Sequence, residues 1–265
     1  MRWFGKRKIT QRKLGLALSG GGTRGIAHIG VFKAFEEAGF KFHCVAGTSA
    51  GSIMGALYSA GIPWQTILDE AKKLNRKDFL DKRFMVGSAS DNIVRIARTL
   101  LGETTFEQLQ IPFAAVAVDI RTGNEVTLNS GDVATAVAAS SAVPALFTPV
   151  QIGDMALVDG GLLNNMPADL CRTMGAEVVV GVDLNHLRGQ GSSSNKLKDT
   201  LLAAWSISAK NSMLKGQMNS DVIVTPELSE YSNTKLENLD AMFEEGYRAA
   251  KEKIEEITQL INTKF

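Results

Sequence analysis

Cysteine, histidine and long apolar runs are all scarce in this 265-residue chain, and each scarcity excludes something. The two cysteines, Cys44 and Cys171, lie in apolar segments with no CxxC or Cys/His spacing around them. Neither a disulfide framework nor a thiolate metal site is expected, and the pair reads as reduced core thiols of a cytoplasmic protein. Apolar runs such as Phe113–Val118 and Val178–Val182 fall far short of the roughly 18 residues needed to span a bilayer. No apolar h-region follows the basic N-terminus, so that end does not read as a secretory signal and a soluble chain is expected. A formal net charge of +1 gives no global bias towards nucleic acid or acidic partners. Three histidines, His28, His43 and His186, leave few candidates for a general base.

The length suits one large α/β domain, and 45% hydrophobic content is enough for a sizeable core. Charge is nonetheless unevenly placed. Residues 1–13 hold Arg2, Lys6, Arg7, Lys8, Arg12 and Lys13 with no acid among them, beside Trp3 and Phe4. They read as a basic tail ahead of a domain over residues 14–265. Such a tail is either solvated or a peripheral contact with anionic lipid at the inner membrane face, where each near-surface cation contributes about 1 kcal/mol.

Strand and helix patterns alternate. Leu14–Leu18 reads as a buried strand and Ile26–Ala38 as a helix, with Gly39 placed as its C-terminal glycine. Val45-Ala46 ends the next strand, and Ser52–Ala60 continues as a helix stopped by Gly61-Ile62-Pro63. This order implies βαβ units and a mainly parallel sheet, with ligand chemistry at the carboxyl edge of the strands. Residues 64–102 are charged and helical, and are expected to form an excursion over the site. Phe113–Val118 and Glu125–Leu128 flank a turn at residues 121–124. Val178–Val182 reads as a strand covered on both faces. Residues 186–198 form a Gly/Ser-rich loop, and residues 199–218 return to helical spacing. Val222–Val224 is a candidate last strand. Thr234 and Glu237 form a candidate capping box for one long C-terminal helix, whose apolar stripe (Leu236 to Ile261) is expected to pack onto the sheet. No internal repeat is present.

Two glycine-rich turns carry the chemistry. The first, Ser19-Gly20-Gly21-Gly22-Thr23-Arg24-Gly25, follows a strand and opens a helix, so its N–H groups can hold negative charge. The second, Gly47-Thr48-Ser49-Ala50-Gly51, is a G-x-S-x-G nucleophile elbow: a serine on a sharp strand-to-helix turn where neighbouring Cβ atoms would clash. One turn offers a nucleophile and the other an oxyanion cradle of Gly20, Gly21 and Gly22, which together point to acyl transfer. Gly20-x-Gly22-x-x-Gly25 also fits a dinucleotide fingerprint. That reading needs an acid at the end of the second strand, which here ends in Ala46-Gly47-Thr48-Ser49. A P-loop fails because no Gly-Lys-Ser/Thr closes the turn.

At these residues the chain resembles the patatin-like phospholipases, the family that includes bacterial patatin-like proteins and the neuropathy-target-esterase domain. The two turns, Ala139-Ser140-Ser141-Ala142-Val143-Pro144 and Val158-Asp159-Gly160-Gly161 occur in the family's order across residues 14–183. The resemblance implies a three-layer α/β/α fold and a cofactor-free serine lipid acyl hydrolase acting on phospholipid or lysophospholipid, with no metal. It places the dyad carboxylate on Asp159, with Gly160 and Gly161 leaving room for close approach. Arg24 is open on its residues alone between pinning the loop and approaching a phosphate; the resemblance favours pinning. Asp119 and Asp183, also at strand ends, read as turn or backbone ligands. His28 reads as a packed histidine, and none of the three suits the late position of an α/β-hydrolase triad. An acyltransferase using the same serine, and a catalytically silent lipid-binding protein, are the alternatives.

Overall fold

The computed structural model describes residues 12–73, 89–185, 196–233, 235 and 237–262. Its centre is β1 (Leu14–Leu18), flanked by β2 (Phe42–Thr48) on one side and β7 (Val178–Val182) on the other, all parallel. Beyond β2 lies β3 (Phe113–Asp119), and beyond β7 lies β8 (Val222–Val224), both also parallel to their neighbours. Three further strands turn antiparallel: β4 (Asn124–Leu128) and β6 (Met155–Asp159) on β3, and β5 (Val150–Ile152) on β6. Eight strands are thus described, with the path β5-β6-β3-β2-β1-β7-β8 and β4 also on β3. Because the chain runs from β1 to β2 on one side and from β7 to β8 on the other, the carboxyl edge between β1 and β7 is a topological switch point, where α/β sheets bind ligands.

Side chains alternate across a strand, and here they divide two cores. Leu14, Leu16 and Leu18 of β1 and Val178, Val180 and Val182 of β7 enter the larger one. It is covered by α1 (Ile26–Glu37), α2 (Ala50–Ser59) and α5 (Val133–Ser140). On the opposite face Ala17, Cys44, Ala46 and Val179 meet Ala168 and Cys171 of α6 (Ala168–Thr173) and Met213 of α8 (Met213–Asn219). The layers are therefore α/β/α, with one thick side and one thin. Small residues make the thin side possible: a Cβ on Gly15 would lie 2.7 Å from that of Ala176 and 2.9 Å from that of Cys171. Both cysteines are free and buried there.

Expected boundaries hold closely for the first half of the chain. Gly39 adopts φ +73° just after α1, in the region that favours glycine. Residues 64–102 contain α3 (Trp64–Lys73) and α4 (Ala89–Leu101); residues 74–88 lie outside the described residues. Helix α7 (Leu197–Asn211) precedes α8. Arg12 and Lys13, assigned from sequence to the basic tail, are instead tied to the domain through Glu177. Arg12 Nη2 donates to the Glu177 carbonyl at 3.0 Å, and the Lys13 N–H to its carboxylate at 2.8 Å. Residues 1–11 lie outside the described residues.

The expected single C-terminal helix is two, α9 (Leu239–Lys251) and α10 (Ile254–Asn262), with Asn238 in a left-handed conformation (φ +58°) before the first. Thr234 of the expected capping box lies outside the described residues. The stripe packs chiefly on α1 rather than directly on the sheet. Backbones touch at that crossing: a Cβ on Gly30 would meet the Phe243 carbonyl oxygen at 2.0 Å, and one on Gly246 the Ala27 carbonyl oxygen at 1.9 Å. Trp64 and Lys33 close over the same seam against Phe243 and Tyr247. Since neither obstacle is a flexible side chain, Gly246→Ala must separate the helices. We expect it to cost about 1–3 kcal/mol, read in calorimetry as a fall of roughly 2–12 °C in Tm. An unchanged Tm would contradict the packing described.

Candidate active site

Ser49 stands between β2 and α2 with φ +53° and ψ −125°, a strained backbone for a residue with a side chain. What holds it there is contact on every side. A Cβ at Gly47 would lie 2.3 Å from the Gly51 carbonyl oxygen, and one at Gly51 would lie 2.2 Å from that of Leu18. The Ser49 N–H donates to Ser140 Oγ at 3.0 Å, and Ser52 Oγ donates back to the Ser49 carbonyl at 2.7 Å. The elbow is thus wedged against the end of β1 and bonded to the end of α5.

The first glycine turn lies directly against it. A Cβ on Gly20 would be 3.0 Å from Ser49 Cβ, and one on Gly25 would be 2.9 Å from Ala50 Cβ. Gly20 departs from the expectation of three free donors, because its N–H is bonded to the Asn165 carbonyl at 3.0 Å. The Gly20 carbonyl in turn accepts from Asn185 Nδ2 at 2.6 Å. The N–H groups of Gly21 and Gly22 have no partner among the described residues. Gly22 needs its φ of +61°, and a Cβ there would strike the Asn233 carbonyl oxygen at 2.2 Å. Arg24 is buried and pins the turn: Nε and Nη2 donate to the Tyr231 carbonyl at 2.9 and 2.7 Å. Thr23 adds Oγ1 to the Ser232 carbonyl (2.8 Å) and N–H to that of Asn233 (3.1 Å). Residues 231–233 therefore strap the loop from outside.

Asp159 ends β6 and is fully buried. Its Oδ1 accepts the Gly161 N–H at 2.8 Å, while Oδ2 has no hydrogen-bond partner. Gly160 fits because its Cα faces the Val116 carbonyl, which a Cβ would approach to 2.3 Å. Burial pushes the Asp159 carboxyl up to about 7, against smaller opposing effects from the nearby Ser49 hydroxyl and the Gly161 N–H. Ser49 thus lies close enough to influence the carboxyl without closing a hydrogen bond to Oδ2 of normal geometry. The segment 139–144 joins the two: Ser140 holds the Ser49 N–H, and the Ala142 carbonyl accepts the Asp159 N–H at 3.0 Å.

The remaining acids and bases are used elsewhere. Asp119 accepts from the N–H groups of Arg121 and Ala156 and from Thr122 Oγ1. Asp183 accepts from the Asn185 N–H and from Gln217. His28 is buried, and its Nε2 lies 3.0 Å from the Ser19 carbonyl, which can only accept. Desolvation lowers its pKa to about 4, so the ring is neutral and props the first turn. His43 is the second residue of β2, roughly 20 Å of strand from the elbow at about 3.3 Å per residue. His186 lies outside the described residues. No cluster of three or more metal-ligating side chains occurs among the described residues.

A cavity of about 660 Å³ opens over Ser49. Leu57 and Met54 of α2, Ile67 of α3, Leu100 of α4, Phe147 and Trp205 line it, giving a largely apolar wall. Helices α3 and α4 both contribute to this lining. Ser49, Asn165 and the buried, unpartnered hydroxyl of Ser141 line it together with the glycine turn, and Glu70, Lys198, Asp199 and Lys210 add charged groups to the lining. Ser140, Asn165 and the 231–233 strap were not singled out as site residues by sequence. Asn165 and the strap act through backbone carbonyls and Ser140 through its hydroxyl, and only Ser140 lay inside a motif already noted.

A family model described as patatin-like phospholipase matches residues 16–172. The chain belongs to the patatin-like phospholipase family. It is 32% identical over 274 residues to an uncharacterized NTE family protein of Mycobacterium tuberculosis, covering 92% of this chain and 47% of that one. It is 35% identical over 189 residues to patatin-like phospholipase domain-containing protein 6 of Mus musculus, covering 67% of this chain and 14% of that one. The chain therefore spans about half the length, or less, of these patatin-like relatives. Among solved structures, VipD from Legionella pneumophila aligns over 95% of this chain and 67% of its own, with TM-score 0.54 at 15% identity. ExoU, in its complex with SpcU from Pseudomonas aeruginosa, aligns over 96% and 52%, with TM-score 0.53 at 18% identity. At such identities these two establish the patatin-like fold.

The raised pKa of Asp159 carries its own consequence for stability. With the folded value above the unfolded 3.8, the group costs nothing below pH 3.8 and progressively destabilises the fold as pH rises through about 7. Asp159→Asn removes that cost. Its Tm relative to wild type should be flat in acid and should climb between those two pH values. A difference that stays constant with pH would show that burial does not perturb the carboxyl.

Proposed function

We propose that this chain is a serine acyl hydrolase of phospholipids or lysophospholipids, working through a Ser49–Asp159 dyad. The observation that carries it is the buried Asp159 carboxyl, one oxygen unpartnered and its pKa near neutrality, beside a strained serine that lines a largely apolar cavity. In the acylation step Ser49 Oγ attacks the ester carbonyl while Asp159 Oδ2 takes the hydroxyl proton. The carbonyl oxygen becomes an oxyanion held by the N–H groups of Gly21 and Gly22, with Gly20, Arg24 and Gly25 fixing their position. Collapse expels the alcohol, which takes the proton from Asp159, and leaves the acyl chain on Ser49 in the cavity. Water then enters, Asp159 removes one of its protons, and the fatty acid departs with Ser49 restored. A carboxyl of ordinary pKa would be a weak base for this work; desolvation supplies the missing basicity. Family membership supports the lipid substrate class.

Kinetics on a soluble short-chain ester and on a lipid panel test this. Ser49→Ala should abolish turnover with the fold intact, and Asp159→Asn should lower kcat by about 100-fold or more. Replacing His28, His43 or His186 one at a time by Gln or Asn should preserve most kcat in variants folded by circular dichroism. Wild-type kcat/KM should fall about tenfold per unit below pH 7, following the free Asp159 carboxyl. A folded histidine variant as inactive as Ser49→Ala, with Asp159→Asn still turning over, would replace the dyad by a histidine base.

A further inference from the structure

Helix α7 has two contrasting faces. Leu202, Trp205 and Ala209 line the cavity. On the opposite side Leu197, Leu201 and Ile207 point to solvent, and the row continues along α8 through Leu214 and Met218. These five are most of the seven large apolar side chains exposed among the described residues, and the pairs Leu197/Leu201 and Leu214/Met218 are each four apart, on one side of their helix. They are far from buried: Leu197 is 74% exposed, Ile207 63% and Met218 86%. Exposed apolar side chains concentrated on one helix pair mark a contact surface. Cations edge it. Between Lys196 and Asn219 the chain has four lysines and one acid, Asp199; of the four, Lys215 is ion-paired with Glu125 and Asp169. Lys198 and Lys210 are exposed and also line the cavity, so they stand where the outward face meets its wall.

We infer that the outward face of α7–α8 seats on an anionic bilayer surface, its apolar row among the acyl chains and its lysines at the headgroups. This rests on the lipid hydrolase reading, because the same helix then separates bilayer from cavity and an acyl chain has a short route past it to Ser49. The charge favours lipid over a second copy of this chain: a symmetric pairing would bring like-charged lysines together, whereas anionic headgroups complement them. Residues 1–11 are a separate basic stretch of the sequence, holding Trp3 and Phe4 as well as cations.

The test is co-sedimentation of the full chain, carrying Ser49→Ala to keep the lipid intact, with phosphatidylcholine vesicles with and without phosphatidylglycerol. We expect binding to the anionic vesicles, and a fall of about tenfold or more when Ile207→Asp and Met218→Asp are added. In chains retaining Ser49, the same double substitution should leave soluble-ester turnover within about twofold, since neither residue lines the cavity. Undiminished vesicle binding by the double variant, or binding lost on deleting residues 1–11 but not on changing the face, would overturn the inference. So would a dimer in light scattering that the double variant dissolves while vesicle binding persists. If no form hydrolyses any ester yet the vesicle result holds, the hydrolase reading fails and the docking face stands.

Discussion

Asp159 must be kept dry, close to a serine, and short of one hydrogen bond. An unpaired carboxylate oxygen in a protein interior is costly, and its neighbours decide whether that cost becomes basicity or a collapsed contact. Here Gly161 supplies a single N–H, Gly160 lets the turn press against the Val116 carbonyl, and the Ala142 carbonyl fixes the backbone. Nothing in that set neutralises Oδ2. The carboxyl therefore favours its protonated form near neutrality and gains basicity that an exposed aspartate lacks. The antiparallel strand β6 delivers it from the side of the sheet where the parallel order breaks.

Close packing of backbone on backbone does the rest. Ser49 keeps its strained conformation because Gly47, Gly51 and the end of β1 interlock at distances that exclude any added carbon. The same tightness brings Gly20 against Ser49 and turns the next two N–H groups loose from the internal bonding pattern. Arg24 and Thr23 then tether this turn to residues 231–233, far away in the chain. Donors positioned before the reaction need no reorganisation during it, which is where such sites gain most of their effect.

The parts legible in the sequence were those with steric demands so severe that only glycine or serine meets them. Gly47, Ser49 and Gly51 announce themselves for that reason; the Asp159-Gly160-Gly161 turn was marked by the family resemblance, and the strands and helices through Ala60 by their alternating apolar patterns. The C-terminal break was hidden because apolar spacing runs unbroken from Ala250 through Ile254 to Ile261, while the backbone parts at residues 252–253. The β5–β6 hairpin was too short to stand out around Gly153. The Gly20 bond to Asn165 and the 231–233 strap involve backbone carbonyls, which every residue has, so no side-chain pattern marks them. Helix α7 likewise shows helical spacing in sequence, but which apolar side faces the cavity depends on its neighbours in space.

The central claim is that the raised carboxyl of Asp159 activates Ser49 and no other residue. It is tested most directly by a fluorophosphonate with peptide-level mass spectrometry. The wild-type chain should gain one adduct on the peptide bearing Ser49, and Asp159→Asn should label at least about 100-fold more slowly while remaining folded. An adduct on another residue, or labelling of Ser49 at the wild-type rate without the carboxylate, would contradict the account.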